Sequence, residues 1–298
     1  MQEHNYTEPI IKGIAHTNLL PQGTALVLEG GGARAYFSAG VFEAFMKEGI
    51  MFPYIIGVSA GAANALSYVS GQRDRNRVLA KNYLCLKEYV SLRNLLRHKS
   101  YFGYDFIFGT VPEKHLFWDK EIFDSTDIRF LTGAIDCTTG KTIWFEKREI
   151  AKRFKVMQAS CSIPMLSQVV NYNGYELLDG GVSDPIPIEK SIEDGNNFHV
   201  IVLTRNQGYV CNAFRFKSLL NLFYRQYPRI IDAIMQRHEA YNRQMQICES
   251  LVNQGKAIIL RPQKPLVVGR TTKDSTKLMA LYDEGHDEGL KITKALKD

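Results

Sequence analysis

Short apolar runs alternate with segments of helical period across residues 24–204, which predicts an α/β fold built on a mainly parallel sheet. Two features sharpen this reading. Glycine clusters punctuate the chain directly after the first two predicted strands, and an Asn-Gly pair joins two later ones.

Taken in order, residues 24–29 (TALVLE) form a short apolar run that ends in three glycines, as a buried strand does. Residues 38–48 then place Val41, Phe42, Phe45 and Met46 at helical spacing. Residues 54–58 predict a second buried strand and residues 60–69 an alanine-rich helix. Residues 129–135 and 141–145 predict strands, and residues 151–159 a helix. Residues 168–172 and 175–178 predict a hairpin, because Asn173-Gly174 suits a two-residue turn. Residues 199–204 predict a further buried strand. Strand, helix, strand in that order makes parallel units whose ligands lie at the carboxyl ends of the strands. Beyond Arg205 the texture changes: residues 214–249 are helical in period, interrupted by Pro228, and residues 275–297 predict a last helix. The expected organisation is an arm over 1–23, a main domain over 24–204, and a basic, mainly helical extension over 205–298 packed on that domain.

The 298 residues are 45% apolar and 23% charged, an ordinary globular balance that excludes a disordered or fibrous chain. No window approaches the length of apolar chain that a spanning helix needs. The first 23 residues mix Glu3, His4, Asn5 and Lys12 without an apolar stretch, so no secretory leader is expected. The five cysteines (Cys85, Cys137, Cys161, Cys211 and Cys248) are odd in number and widely spaced. They predict neither a disulfide framework nor a zinc site, and a reducing cytoplasm is the expected compartment. The net charge of +6 is uneven: residues 1–204 hold 21 Lys+Arg against 22 Asp+Glu, residues 205–298 hold 16 against 9. A basic excess of that size suits an anionic surface, or is simply solvated.

Three stretches carry chemistry. Gly57-Val58-Ser59-Ala60-Gly61 is a G-x-S-x-G between a predicted strand and a predicted helix, the setting of a sharp turn that presents a serine hydroxyl. Gly30-Gly31-Gly32-Ala33-Arg34 follows the first strand, and its successive N–H groups suit a phosphate or a developing oxyanion. Gly30-x-Gly32-x-x-Ala35 also fits a dinucleotide fingerprint. That reading needs an acidic residue at the end of the second strand, where Gly57-Val58-Ser59 stands instead, and no phosphate-loop lysine follows the glycines. Asp179-Gly180-Gly181, by itself, reads as a turn.

The conjunction is more specific than its parts. A GGGxR loop, a G-x-S-x-G whose serine stands 27 residues after Gly32, and a D-G-G 120 residues further on together resemble the patatin-like phospholipases, or patatin-like acyl hydrolases, of the bacterial type with a C-terminal helical extension. The small-residue stretch ending in Ile163-Pro164 and the run Asp184-Pro185-Ile186-Pro187 support the resemblance, which covers about three fifths of the chain. It implies a three-layer α/β/α fold with a mainly parallel central sheet. It also implies a Ser59 nucleophile, an Asp179 proton acceptor working without histidine, and an oxyanion hole from Gly31, Gly32 and Ala33. Gly30, Arg34, Gly57, Gly61, Gly180 and Gly181 match the supporting motif positions. Arg34 then either attracts a lipid phosphate or holds the glycine loop through an ion pair, with the second favoured. Ala35 departs from the family's glycine and should cost only a local adjustment. The implied activity is hydrolysis of fatty-acyl esters of phospholipids or related glycerolipids, with a lipid-binding protein of low turnover as the alternative.

A free aspartate, with a pKa near 3.9, is a weak base, so the dyad requires Asp179 to be desolvated. A triad through His199, His238 or His286 is the internal rival. Phe214, Phe216, Leu219, Leu220, Leu222, Phe223 and Tyr227 interleave with Arg215, Lys217 and Arg225, a pattern that either packs on the hydrolase domain or lies in an anionic membrane surface. Packing is the favoured reading. The expected partners are a lipid ester substrate and, peripherally, such a membrane. No nucleic-acid partner, cofactor or metal is expected, and oligomeric state is left open.

Overall fold

The computed structural model describes residues 11–15 and 19–297; of the expected arm, residues 1–10 and 16–18 lie outside the described residues. The strands are β1 (Thr24–Leu28), β2 (Tyr54–Val58), β3 (Arg129–Asp136), β4 (Thr142–Glu146), β5 (Val170–Tyr172), β6 (Tyr175–Asp179), β7 (Phe198–Val202) and β8 (Ala257–Leu260). The helices are α1 (Tyr36–Lys47), α2 (Ser59–Val69), α3 (Arg75–Asn82), α4 (Leu92–His98), α5 (Lys120–Ser125), α6 (Lys147–Arg153), α7 (Lys155–Ser160), α8 (Ile188–Glu193), α9 (Lys217–Tyr224), α10 (Pro228–Asn253) and α11 (Ser275–Lys297).

One sheet runs in the order β5-β6-β3-β2-β1-β7-β8, with β4 also paired to β3. Its centre is parallel: β1 pairs with β2 and β7, β2 with β3, and β7 with β8. The β5–β6 hairpin and β4 are antiparallel. Asn173 and Gly174, with φ of 49° and 84°, make the hairpin turn that the sequence predicts.

Alternate residues of β1 face opposite layers. Leu26 and Leu28 join a core with Phe37, Phe45 and Leu66 of α1 and α2 and with Leu278 and Tyr282 of α11. Ala25 and Val27 join a second core with Ile188 of α8 and Tyr241 and Cys248 of α10. Helices therefore cover both faces, the condition under which a parallel sheet is stable. The sheet also continues past the expected boundary at residue 204, since β8 pairs directly with β7.

Two details escape periodicity. The helix expected over 151–159 is two helices, α6 and α7, separated by Phe154 at φ 47°. The strand β8 is too short to stand out. The long helical stretch after residue 214 divides where the sequence places its interruption, with Pro228 the first residue of α10.

Helix α11 touches α1 backbone to backbone. A Cβ on Gly285 would lie 2.0 Å from the Phe37 carbonyl oxygen, and one on Gly40 would lie 1.9 Å from that of Tyr282. Gly285→Ala should therefore lower stability in urea denaturation by about 1–3 kcal/mol, despite the better helix propensity of alanine. An unchanged or higher midpoint would contradict this close crossing.

Candidate active site

Ser59 and Asp179 meet because β3 spans two strands on one side. Val58, the last residue of β2, pairs with Gly133, and Asp179, the last of β6, pairs with the next residue, Ala134. β4 occupies the other side of β3 at both positions. The parallel strand and the hairpin strand thus arrive end to end, and their terminal residues face each other.

At that junction the Ser59 hydroxyl donates to Asp179 Oδ2 at 2.7 Å. Ser59 has φ of 54°, a left-handed conformation that a non-glycine residue adopts at a cost. The neighbouring backbone allows so sharp a turn only because residue 61 lacks a side chain: a Cβ on Gly61 would sit 2.4 Å from the Glu29 carbonyl oxygen. Gly57 faces Leu28 across β1, and Gly30 lies against Ser59 itself. The Ser59 N–H donates to Ser160 Oγ at 2.9 Å, and Thr132 Oγ1 donates to the same oxygen at 3.0 Å. Ser160 is a buttress that the sequence offered only as one member of a small-residue stretch.

Asp179 is 7% exposed. Burial raises its carboxyl above the ordinary value of 3.8, while hydrogen bonds from Ser59 and the Gly181 N–H and the charges of Arg270 and Arg237 pull the other way. The Gly181 N–H donates to Asp179 Oδ1 at 2.8 Å, so both carboxylate oxygens are held. Gly180 passes close over Gly133, where β3 leaves room for the turn. Cys161 lies against the pair, its thiol pushed up by burial and by the charge of Asp179.

The glycine loop runs through Gly31 and Gly32, the latter at φ 57°, into a short helical turn over Gly32–Ala35. The N–H groups of Gly31 and Gly32 donate to no group among the described residues. Ala33 corrects the expectation of a three-donor loop: its N–H donates to the Arg270 carbonyl at 2.9 Å. A segment more than two hundred residues away has docked there, which no local pattern reveals. Ala35 has φ of −69°, so its methyl group meets no backbone restriction. Arg34 is 4% exposed and, among the described residues, makes no ion pair, while its Nε has no hydrogen-bond partner. The favoured ion-pair role is therefore not what the structure holds. Burial pushes Arg34 down to about 10, with Arg205 adding to the effect. The loop is instead tied by Glu29, whose Oε2 accepts from the Thr204 N–H, and by Thr204 Oγ1, which donates to the Gly30 carbonyl at 3.1 Å.

None of the three histidines bonds to Ser59 or Asp179. His199 is buried beside Ser191 Oγ at 3.2 Å, and burial lowers it to about 4. His238 contacts the Met235 carbonyl through Nδ1 at 2.9 Å, and His286 lies near Asp287 at 3.7 Å on α11. His238 does line a cavity shared with Ser59 and Asp179.

Two cavities open on Ser59. One, of about 110 Å³, is walled by apolar and aromatic side chains including Leu66, Leu79, Tyr89, Phe108, Trp118 and Phe154. The other, of about 460 Å³, is bordered by the glycine loop, Asp179, Ile163-Pro164-Met165 and the chain around Phe214–Phe216. Arg270 borders both, and Arg237 the second. Among the described residues, no group of three or more His, Cys, Asp or Glu side chains could hold a metal.

The family model of patatin-like phospholipases matches residues 26–191, and that of a domain of unknown function, DUF6363, matches residues 227–298. An uncharacterized protein of Escherichia coli (strain K12), YjjU, is 25% identical over 252 residues, covering 83% of this chain and 70% of that protein. An uncharacterized NTE family protein of Mycobacterium tuberculosis (strain ATCC 25618 / H37Rv) is 29% identical over 171 residues, covering 55% of this chain and 44% of its own. Lysophospholipase NTE1 of Meyerozyma guilliermondii is 30% identical over 199 residues, 61% of this chain, which spans only 12% of the yeast protein. Among solved structures, VipD from Legionella pneumophila superimposes with a TM-score of 0.46 at 14% identity, covering 92% of this chain and 67% of that one.

Proposed function

The chain belongs to the patatin-like phospholipase family, and on that footing we propose that it is a serine acyl hydrolase that cleaves fatty-acyl esters of phospholipids or related glycerolipids through a Ser59–Asp179 dyad. The observation that carries this reading is the 2.7 Å hydrogen bond from a strained, buried serine to a buried carboxylate. Ser59 Oγ attacks the ester carbonyl while its proton passes to Asp179 Oδ2. The oxyanion that forms faces the open N–H groups of Gly31 and Gly32, each worth about 3–4 kcal/mol in such a position. Collapse expels the alcohol, which takes the proton from Asp179 and leaves an acyl-serine. Water, deprotonated by the same carboxylate, then releases the fatty acid. The apolar cavity beside Ser59 is suited to the acyl chain. Residues 205–298 act in the same unit, since they supply an edge strand, two covering helices and part of the cavity wall.

No helix among the described residues is long and apolar enough to cross a membrane. Peripheral contact, in a cytoplasmic enzyme, is the matching proposal. On α9, Leu220 and Tyr224 are buried, whereas Leu222 is 77% exposed and Phe223 54%. Phe216, just before the helix, is also exposed and borders the cavity. Arg215, Lys217 and Arg225 flank these side chains, so the patch pairs apolar insertion with attraction to anionic headgroups.

Asp179→Asn should lower turnover of a soluble ester by about 10³-fold or more with the fold retained. Because the base must be ionised, kcat/KM should fall as pH drops through the Asp179 pKa, placing the acid limb above pH 3.8. A limb at or below that value would contradict a buried base. A loss on His238→Ala as large as that on Ser59→Ala would replace the dyad by a triad. In vesicle co-sedimentation, the wild type should bind anionic vesicles more than neutral ones, and Leu222→Ser/Phe223→Ser should lose most of this binding. Equal binding by the wild type and the double variant would remove the patch from the membrane contact.

A further inference from the structure

We infer that the C-terminal region builds an anion-binding subsite beside Ser59, in which Arg237 and Arg270 receive the phosphate of a lipid headgroup. This rests on the proposed reading of the cavity as the ester-cleaving site, and it assigns a role to a region that the model of a domain of unknown function matches.

The cavity of about 460 Å³ carries Arg215, Arg237, Arg270 and His238 on its wall against a single carboxylate, Asp179, which is already engaged by Ser59 and the Gly181 N–H. The nearby Glu29 is committed to the Thr204 N–H. Arginines in a protein-lined cavity ordinarily meet carboxylates; here an excess of guanidinium is left facing open space.

Arg237 is held in place by groups other than a counter-ion, and Arg270 is anchored through its backbone. The Arg270 carbonyl accepts from the Ala33 N–H at 2.9 Å, which fixes this residue against the glycine loop, yet its side chain makes no hydrogen bond or ion pair among the described residues. Arg237 Nε donates to the Gly181 carbonyl at 2.7 Å and Nη1 contacts Cys211 Sγ at 3.3 Å, with the Tyr241 ring 5.8 Å from the guanidinium carbon. Its Nη2 has no partner among the described residues. The positioned Arg237 guanidinium, with a donor to spare, and the exposed Arg270 side chain on the same cavity wall match the oxygens of a phosphate, and two such charges favour a phosphomonoester over a neutral headgroup.

The layout fixes the order of groups in the ligand. The apolar cavity and the cation-lined cavity join at Ser59, and Arg270 borders both. An acyl chain in the first places its ester carbonyl at Ser59 and its headgroup among the arginines. A single-chain lipid phosphate satisfies all three at once.

The test uses full-length protein carrying Ser59→Ala, so that binding is read without turnover. Calorimetry would compare decanoyl lysophosphatidate with monodecanoylglycerol, both below their micellar concentrations, with inorganic phosphate and glycerol phosphate as competitors. The expected result is at least tenfold tighter binding of the charged lipid, with that preference cut about tenfold or more by Arg270→Gln and by Arg237→Gln. Equal affinity for the charged and neutral lipids in protein with both arginines intact would overturn the subsite, even if an arginine variant proved unfoldable. Competition by inorganic phosphate as effective as that of the lipid phosphate would overturn the headgroup assignment in favour of a free-phosphate site. If both variants weakened the two lipids equally, the arginines would serve only to position Asp179 and the proposal would fail. Selective binding without hydrolysis by the protein that retains Ser59 would leave the subsite standing and defeat the ester-cleaving reading instead.

Discussion

The length of β3 sets the distance between the two side chains on which everything else depends. Gly133 and Ala134, adjacent on that strand, pair with Val58 and Asp179, the last residues of two strands that reach the same edge from opposite directions. A parallel strand cannot deliver both groups, because its neighbours all present their carboxyl ends side by side. The hairpin strand β6 solves this by running antiparallel and stopping against the end of β2. The serine then needs only one strained residue, at φ 54°, to turn its hydroxyl toward the carboxylate.

Keeping Asp179 buried is costly unless its oxygens are satisfied, and each is: one by the Ser59 hydroxyl, one by the Gly181 N–H. Arg237 extends this chain, since it donates to the carbonyl of the same Gly181 whose N–H holds the carboxylate. Burial raises the aspartate and the arginines restrain that rise. Desolvation is the larger of the two influences, so Asp179 is a stronger base than a free aspartate. Part of the basic excess of the last third of the chain thus lies beside Asp179, and another part flanks the exposed side of α9.

Most of the central sheet was legible because its strands are short apolar runs, β1 closed by a glycine cluster and β2 running into Gly57-Val58-Ser59-Ala60-Gly61, and the hairpin because Asn173-Gly174 encodes its own turn. Ser59 and Asp179 were legible for the same reason, since G-x-S-x-G and D-G-G are local sequences that describe local backbone. Groups brought in from far along the chain were not. Ser160 touches Ser59 only because α7 packs against β3, where Thr132 donates to it, and Arg237 and Arg270 come from separate segments with no shared spacing. The Ala33 N–H was expected to be open because nothing near it in sequence announces the Arg270 carbonyl. The α9 stretch showed the opposite difficulty: its apolar spacing suggested a packed face, and Phe214, Leu220, Tyr224 and Tyr227 do pack, whereas Leu222 and Phe223 face outward. Periodicity says which residues share a face, but not whether a neighbour covers it.

The central claim is that burial and strain have made Ser59 nucleophilic. Intact-mass analysis after treatment with a fluorophosphonate addresses it without any assumption about the lipid. One adduct on the wild-type protein, absent from Ser59→Ala, is the predicted result. A folded wild-type protein that takes no adduct in the presence of lipid, or an adduct that persists in Ser59→Ala, would contradict it.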